Sequence, residues 1–454
     1  MQNEQQILGT ESIGKLLLKY SLPAIIGMMV NGLYNVVDRM FIGNIAGVGP
    51  LAITGLGVTM PIVTIILAFG MLIGIGTATN ISIKLGEGKI EEAEKLIGNS
   101  ITLAVAIGIV LTVVGLLFGN QILQIFGASE QSLVYAKAYI NIILLGVVFN
   151  IIGFSLNSII RGDGNPKLAA IIMVVGCFTN IVLDAVFIFG FNMGIQGAAL
   201  ATIISQFITA IWGLSYYFRG KSNLKLKKSS LKLDKPLVKM IFAIGSAPFA
   251  MQLAASLVQI ISNNALRTYG GDLAIGAMAT INSILMLIGM PIAGLSQGAQ
   301  PIIGFNYGCK QYERANKAYK ICLIGAAIGL TLGWLTIQLF PEAIVSTFNK
   351  DAELVRISSD GIKKYLLMMP LISISMLGSN FIQSIGKAKE AMFLSLLRQV
   401  ILLIPMMIIL PRILGLDGVW YAQPIADIIS AIVTGIVVNK EMKSQKSKVI
   451  EAVA

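Results

Sequence analysis

The 454-residue chain has no histidine, only three cysteines and few charges, with Asp, Glu, Lys and Arg together at 12%. Without histidine there is no Ser–His catalytic pair, no His-ligated metal and no histidine proton relay, so proton chemistry falls to carboxylates. Cys177, Cys309 and Cys322 are scattered and form no CxxC spacing, which indicates neither a disulfide framework nor a zinc site. No GxxxxGK[ST] phosphate loop occurs, so ATP-driven pumping has no support. The first dozen residues, MQNEQQILGTES, lack the basic start of a cleavable signal, and the first apolar run is expected to remain as a permanent span.

What is abundant is apolar. Hydrophobic residues make up 56% of the chain, where a soluble protein would carry about 25% charged residues. Apolar runs of about the 20 residues needed to cross a bilayer recur along the whole length. They predict an all-α polytopic membrane protein with twelve transmembrane helices, near 15–40, 51–80, 96–118, 135–160, 166–190, 195–218, 237–266, 273–303, 318–340, 362–385, 390–411 and 417–438. The 47 glycines suit helices whose backbones pack closely in lipid.

The net charge of +12 does not point to nucleic acid, because nearly all Lys and Arg lie between apolar runs. Connections carrying Lys84, Lys89 and Lys95, then Arg161 and Lys167, then Lys310, Arg314, Lys317 and Lys320, then Lys387 and Lys389 are basic. Those around 41–50, 119–134 and 190–195 have no Lys or Arg. Alternation of this kind places both termini in the cytoplasm. The longest basic connection, RGKSNLKLKKSSLKLDK, follows the sixth span. It divides the chain into 1–218, a linker at 219–236, a second half at 237–438 and a tail at 439–454.

The halves repeat. Pro23 matches Pro248, Gly164 matches Gly386 and Gly197 matches Gly418, at separations of 225, 222 and 221 residues. Six spans per half is an even number, so the repeats are parallel, as in transporters that rock two bundles about a central site.

Four ionisable residues lie deep in spans: Asp38, Asp184, Arg398 and Asp427. Each costs about 2.5–3.5 kcal/mol to insert, and such residues usually face a cavity or a partner. Counting from the span ends puts Asp38, Asp184 and Thr202 at similar depth in the outer half of the membrane. Asn180 shares a helix face with Asp184, four residues on. Two carboxylates, an amide and a hydroxyl at one depth form either a hard-oxygen shell for a small cation or a shared proton site. Arg39 points away from Asp38, since i and i+1 diverge on a helix. Arg398 and Asp427 suit a structural ion pair between the last two spans, with substrate contact by Asp427 as the alternative. Polar and soft residues on several spans, among them Met28, Gln252, Asn282, Met286 and Asn380, are candidates to line a substrate cavity.

Taken together, LPAIIGMMVNGLYNVVDRMFIG in the first span, SIIRGDGNPK after the fourth, GIQGAALAT opening the sixth and QPIIGFNYG closing the eighth resemble the multidrug and toxic compound extrusion (MATE) transporters. The order and spacing look most like the bacterial branch near the MepA-type and DNA-damage-inducible F-type proteins. The resemblance implies two pseudo-symmetric six-helix lobes around a central cavity. It also implies export of organic, often cationic drugs in exchange for H⁺ or Na⁺, with no other cofactor. In members with an ion site in the first lobe, the ligands match Asp38, Asn180, Asp184 and Thr202, with the carbonyl of Ala198. Asn157 matches a polar neighbour of that network, although the depth count puts it near the inner end of the fourth span. Pro23 matches a hinge in the first span. The chain departs from the branch with acidic residues in the second lobe, because between Pro236 and Pro341 the only acids are Asp272 and Glu313, both in connections.

The expectation is a secondary antiporter in the plasma (inner) membrane, a monomer whose partners are small organic molecules and the bilayer. A lipid-linked oligosaccharide flippase of the same superfamily is the alternative. Such proteins tend to have more cationic cavities, and here the cavity candidates are acidic or neutral. An intramembrane aspartyl protease using Asp38 and Asp184 is disfavoured, because no GxGD follows within a span; the RGDG at Arg161 falls in a loop.

Overall fold

In lipid every backbone N–H and C=O must be satisfied within the chain, so long apolar runs become helices. The computed structural model describes residues 3–45, 49–218, 222–348 and 351–453. Arg219, Gly220 and Lys221, which open the basic connection, lie outside the described residues. Among those described, all regular structure is helical.

A short helix, α1 (Asn3–Thr10), precedes α2 (Ile13–Gly43), α3 (Gly49–Gly86) and α4 (Ile90–Ile125). Next comes a pair, α5 (Glu130–Leu145) and α6 (Val147–Gly162), bent by 58°. α7 (Pro166–Asp184) runs into a π-helix over Ala185–Gly190, and α8 (Gly194–Phe218) closes the first lobe. The second lobe opens with α9 (Lys235–Gly308), which carries two spans separated at Gly271 (φ 67°, ψ −166°). It continues with α10 (Tyr312–Leu339), the short α11 (Pro341–Val345), and α12 (Ala352–Tyr365). A 3₁₀ turn then leads, at 49°, into α13 (Ile372–Ser384). α14 (Ala388–Leu396) passes through a second π-helix, Leu397–Leu403, into α15 (Ile404–Leu414), and α16 (Leu416–Val453) is last. Dividing α9 at Gly271 and taking each bent pair as one span gives twelve crossings among the described residues.

Local chemistry sets the turns. Asn165 caps α7 by accepting from Leu168 N–H at 3.1 Å, and Pro166 at the first helical position has no N–H to leave unpaired. The repeat-related Gly164 and Gly386 both end a helix in the left-handed region, at φ 104° and 83°, where a side chain would be strained. Asp163 of the RGDG sequence is fully buried and accepts from Tyr216 and Ser222 hydroxyls at 3.1 and 2.6 Å, tying this turn to the end of α8. The basic connection is anchored by Asn99. Its amide donates to the carbonyls of Ser230 and Lys232, both at 3.2 Å, and accepts from Asp234 N–H at 2.8 Å.

The lobes meet chiefly where α2 and α3 pack on α9. The seam lies toward the end bearing Lys84 and Lys310. There Gly86 packs on Gly308, Gly245 on Leu72, Gly294 on Ile25 and Gly298 on Ser21. Neutral hydrogen bonds cross it, among them Ser21 Oγ to Leu295 O (3.4 Å), Asn80 Nδ2 to Met240 O (3.2 Å), Cys309 Sγ to Gly86 O (3.1 Å) and Asn306 Nδ2 to Leu8 O (3.0 Å). At the basic end the Arg314 guanidinium donates to the Leu8 and Glu11 carbonyls at 3.1 and 2.7 Å. Large apolar side chains such as Leu117 (68% exposed) and Ile413 (72% exposed) cover the outside, as a lipid-facing surface requires.

A buried carboxylate pair and a polar cavity in the second lobe

Asp38 is carried near the end of α2, Asp184 at the last residue of α7, and Thr202 two turns into α8; all three are buried. The structure brings the two carboxyl groups into contact with each other. Oriented so that both of its ends are satisfied, the Asn180 amide donates to Asp184 Oδ2 at 2.8 Å and accepts from Thr202 N–H at 3.1 Å. The Thr202 hydroxyl donates to the Ala198 carbonyl at 3.0 Å. One oxygen of each carboxyl, Oδ1 of Asp38 and Oδ1 of Asp184, is buried without a hydrogen-bond partner. Arg39 is exposed, and among the described residues neither carboxylate makes an ion pair. Two carboxylates facing one another with acceptors to spare suit a proton or a small hard cation.

Two residues that sequence reasoning missed complete this cluster. Tyr34, one turn before Asp38, and Tyr139, from α5, both reach the side chain of Thr202. Tyrosines in apolar runs read as packing, and only the fold shows that α5 delivers one here. Phe41 and Phe189 stack edge to face, with centroids 5.6 Å apart, between the end of α2 and the π-helix that follows Asp184.

Other candidates lie elsewhere. The Asn157 amide donates to Ala169 O at 2.7 Å and accepts from Arg161, so the structure places it in a helix tie toward the basic end, outside the Asp38 cluster. α2 runs unbroken through Pro23. Met28 sulfur contacts Gln297 Nε2 at 3.8 Å beside the seam, and Asn380 donates to Ser296 Oγ at 2.6 Å inside the second lobe. Gln252 is half-buried, and Met286 is 47% exposed. Of these five, Asn282 alone lines the cavity of the second lobe.

That cavity, about 200 Å³, sits between α9, α12 and the π-helix of the second lobe. Arg398 and Asp427 pair as expected, Nε to Oδ1 at 2.7 Å, and Gln423 donates to the same oxygen at 3.0 Å. Asp427 is buried and away from the cavity, whereas Arg398 lines it. This corrects the expectation that cavity-facing groups are acidic or neutral. The guanidinium is turned inward because the π-helix Leu397–Leu403 carries it there.

The MatE family model matches residues 23–186 and again 248–409, one match for each repeat. The chain is 28% identical to the multidrug export protein MepA of Staphylococcus haemolyticus, over 99% of this chain and 100% of that protein. It is 38% identical to the MATE multidrug transporter DinF-BH, whose structure was solved as a complex, over 95% of this chain and 96% of that one, with a TM-score of 0.89. An outward-facing multidrug resistance MATE family transporter of the MOP superfamily superposes with a TM-score of 0.91 over 97% of this chain and 98% of that one. At 24% identity this likeness speaks for the fold alone. Two matched repeats, twelve crossings and these relatives place the chain in the MatE family of multi-pass membrane transporters.

Proposed function

We propose that this chain is a secondary antiporter that exports organic, often cationic compounds from the cell in exchange for inward H⁺ or Na⁺. The ion is taken at Asp38 and Asp184, with Asn180, Thr202 and the Ala198 carbonyl completing the site. The observation that carries this reading is the contact between the two carboxyl groups, each with a buried oxygen that lacks a partner. An ion arriving there changes the charge of a water-poor site, and that change is what couples it to the helices around it. The names of the relatives support drug export over the flippase alternative. The basic ends of the helices face the cytoplasm of a plasma (inner) membrane on this reading, with both termini inside. The lobe seam at that end then closes the cytoplasmic side, so the described arrangement faces outward. One charge moving through 100 mV supplies about 2.3 kcal/mol, in addition to the ion's own gradient.

The test is Asp38→Asn in proteoliposomes, with folding checked by thermal unfolding. Gradient-driven drug efflux is expected to vanish, and normal efflux by the folded variant would refute the coupling role. Running the unaltered protein under a Na⁺ gradient alone, then a pH gradient alone, identifies the ion.

A further inference from the structure

The second-lobe cavity has a chemistry of its own. Arg398 uses only Nε on Asp427, and among the described residues its two terminal nitrogens have no hydrogen-bond partner. Around them lie the amides of Gln259, Asn263, Asn282 and Gln399, none of which makes a side-chain hydrogen bond among the described residues. The Ser262 hydroxyl, 6% exposed, is buried in the same wall without a partner. Of these groups only the Ser262 hydroxyl is fully buried; the amides and the guanidinium are partly or fully exposed and open onto the cavity, where a ligand can meet them together. None of the lining side chains is acidic, and Val258 and Leu285 supply apolar walls. Arg398 and Gln399 both belong to the π-helix, a departure from α-geometry that often marks functional sites. The volume of about 200 Å³ is below the range of roughly 300–1,000 Å³ for drug-sized ligands.

We propose that this cavity is a binding site for a small organic carboxylate, held by the free edge of the Arg398 guanidinium and the surrounding amides. The guanidinium edge presents parallel N–H groups that match the two oxygens of a carboxylate. The amides supply further donors, and the apolar walls take the hydrocarbon end. A cation is disfavoured, because the only formal charge on the lining is positive and Asp427 is already shared between Arg398 and Gln423. The site goes beyond the export reading: it lies in the other lobe from Asp38 and does not depend on which ion drives transport.

The experiment is ligand-observed fluorine NMR on the full chain in nanodiscs, at equilibrium and without any gradient. The probes are 4-fluorobenzoate, 4-fluorobenzamide and 4-fluorobenzylamine, which share a shape and differ in charge. The benzoate is expected to bind saturably and at least ~10-fold more tightly than either of the others, the scale of a charge-assisted pair. Equal binding of the amide, or tighter binding of the amine, overturns the proposal. The double variant Arg398→Leu with Asp427→Asn removes both charges without stranding either one, and it should lose the benzoate preference. Should that variant fail to give a monodisperse protein, Asn263→Leu and Gln399→Leu keep the ion pair and should each weaken benzoate several-fold. Unchanged benzoate binding in the folded variants sinks the assignment. Because no gradient is present, loss of coupling at Asp38 leaves this readout untouched.

Discussion

The lobe seam can be opened by one methyl group. Gly298 of α9 packs on Ser21 of α2, and a Cβ built at Gly298 would lie 2.5 Å from Ser21 Cα and 2.6 Å from its N. Carbon atoms rest about 3.5–4.0 Å apart, so Gly298→Ala requires the two backbones to part by roughly 1 Å or more. Backbone inside a helix has no rotamer to yield, and the lobes must separate locally. Overpacking typically costs about 1–3 kcal/mol, and applied to the closed arrangement alone it raises the open fraction by about 5–150-fold. Cys309 reports this directly, because its thiol donates to Gly86 O across the seam. Burial pushes the Cys309 thiol above the ordinary cysteine range, so little thiolate exists at neutral pH while the seam is closed. With the buried Cys177 and Cys322 replaced by Ala, maleimide labelling of Cys309 should be several-fold to a hundredfold faster in Gly298→Ala. The ratio should narrow as pH rises, because thiolate then forms in the closed state as well. Equal labelling rates in a folded variant would refute the argument that backbone contact at Gly298 limits opening.

Two further perturbations are specific. Tyr139→Phe removes a hydroxyl beside Thr202 while keeping the ring that packs in the core; the protein should fold normally and lose gradient-driven efflux several-fold, and wild-type efflux would remove Tyr139 from the site. Asn99→Ala removes the partner of the Ser230 and Lys232 carbonyls and the Asp234 N–H, at about 1–3 kcal/mol for the one at buried Ser230, so trypsin should cut within 222–235 faster, and an unchanged rate would mean that other contacts hold the connection.

The spans are legible because length and apolarity are decisive in lipid, but their ends are less so. The stretch IEEAEK before the third span reads as a loop by charge, yet α4 begins at Ile90, because Glu, Ala and Lys favour helix at a membrane surface as well as in water. RTYGGD around Gly271 reads as a connection between two spans, and the structure turns there through a single residue with helix on both sides. Asp38, Asn180, Asp184 and Thr202 could be gathered by counting depth, because each is a polar residue in an apolar run. Tyr34 and Tyr139 could not, and neither could the cavity, since its walls come from helices far apart in sequence. One signal was present: Pro405 occupies the position that the repeat pairs with Asp184, and proline has no N–H to bond back to Ile401. The ladder is therefore interrupted just where the π-helix Leu397–Leu403 carries Arg398 inward.

The duplication explains how one fold holds two unlike sites. Both π-helices fall in the fifth span of their half, Ala185–Gly190 in the first and Leu397–Leu403 in the second. In the first, the residue entering the π-helix is Asp184, and its neighbours from α2 and α8 are Asp38 and Thr202. In the second, the π-helix brings Arg398 to a cavity with no acidic wall. Each half thus has an irregular turn in its fifth span, but at a different point along it, since Ala185 corresponds by the 221-residue separation to position 406, beyond the second π-helix; the side chains at the two turns carry opposite charge. Between the two sites lies a seam of glycine contacts and neutral hydrogen bonds, with the Arg314 guanidinium holding the Leu8 and Glu11 carbonyls at its basic end. Within each lobe the ties are heavier, such as Asp163 with two hydroxyls and Asp427 with Arg398 and Gln423. Neutral contacts between small groups carry little desolvation penalty when water replaces them, whereas breaking a buried ion pair strands charge in lipid. Separation between the lobes therefore breaks no ion pair among the described residues, and the bonds of Arg314 to the Leu8 and Glu11 carbonyls are the charged tie it must give up.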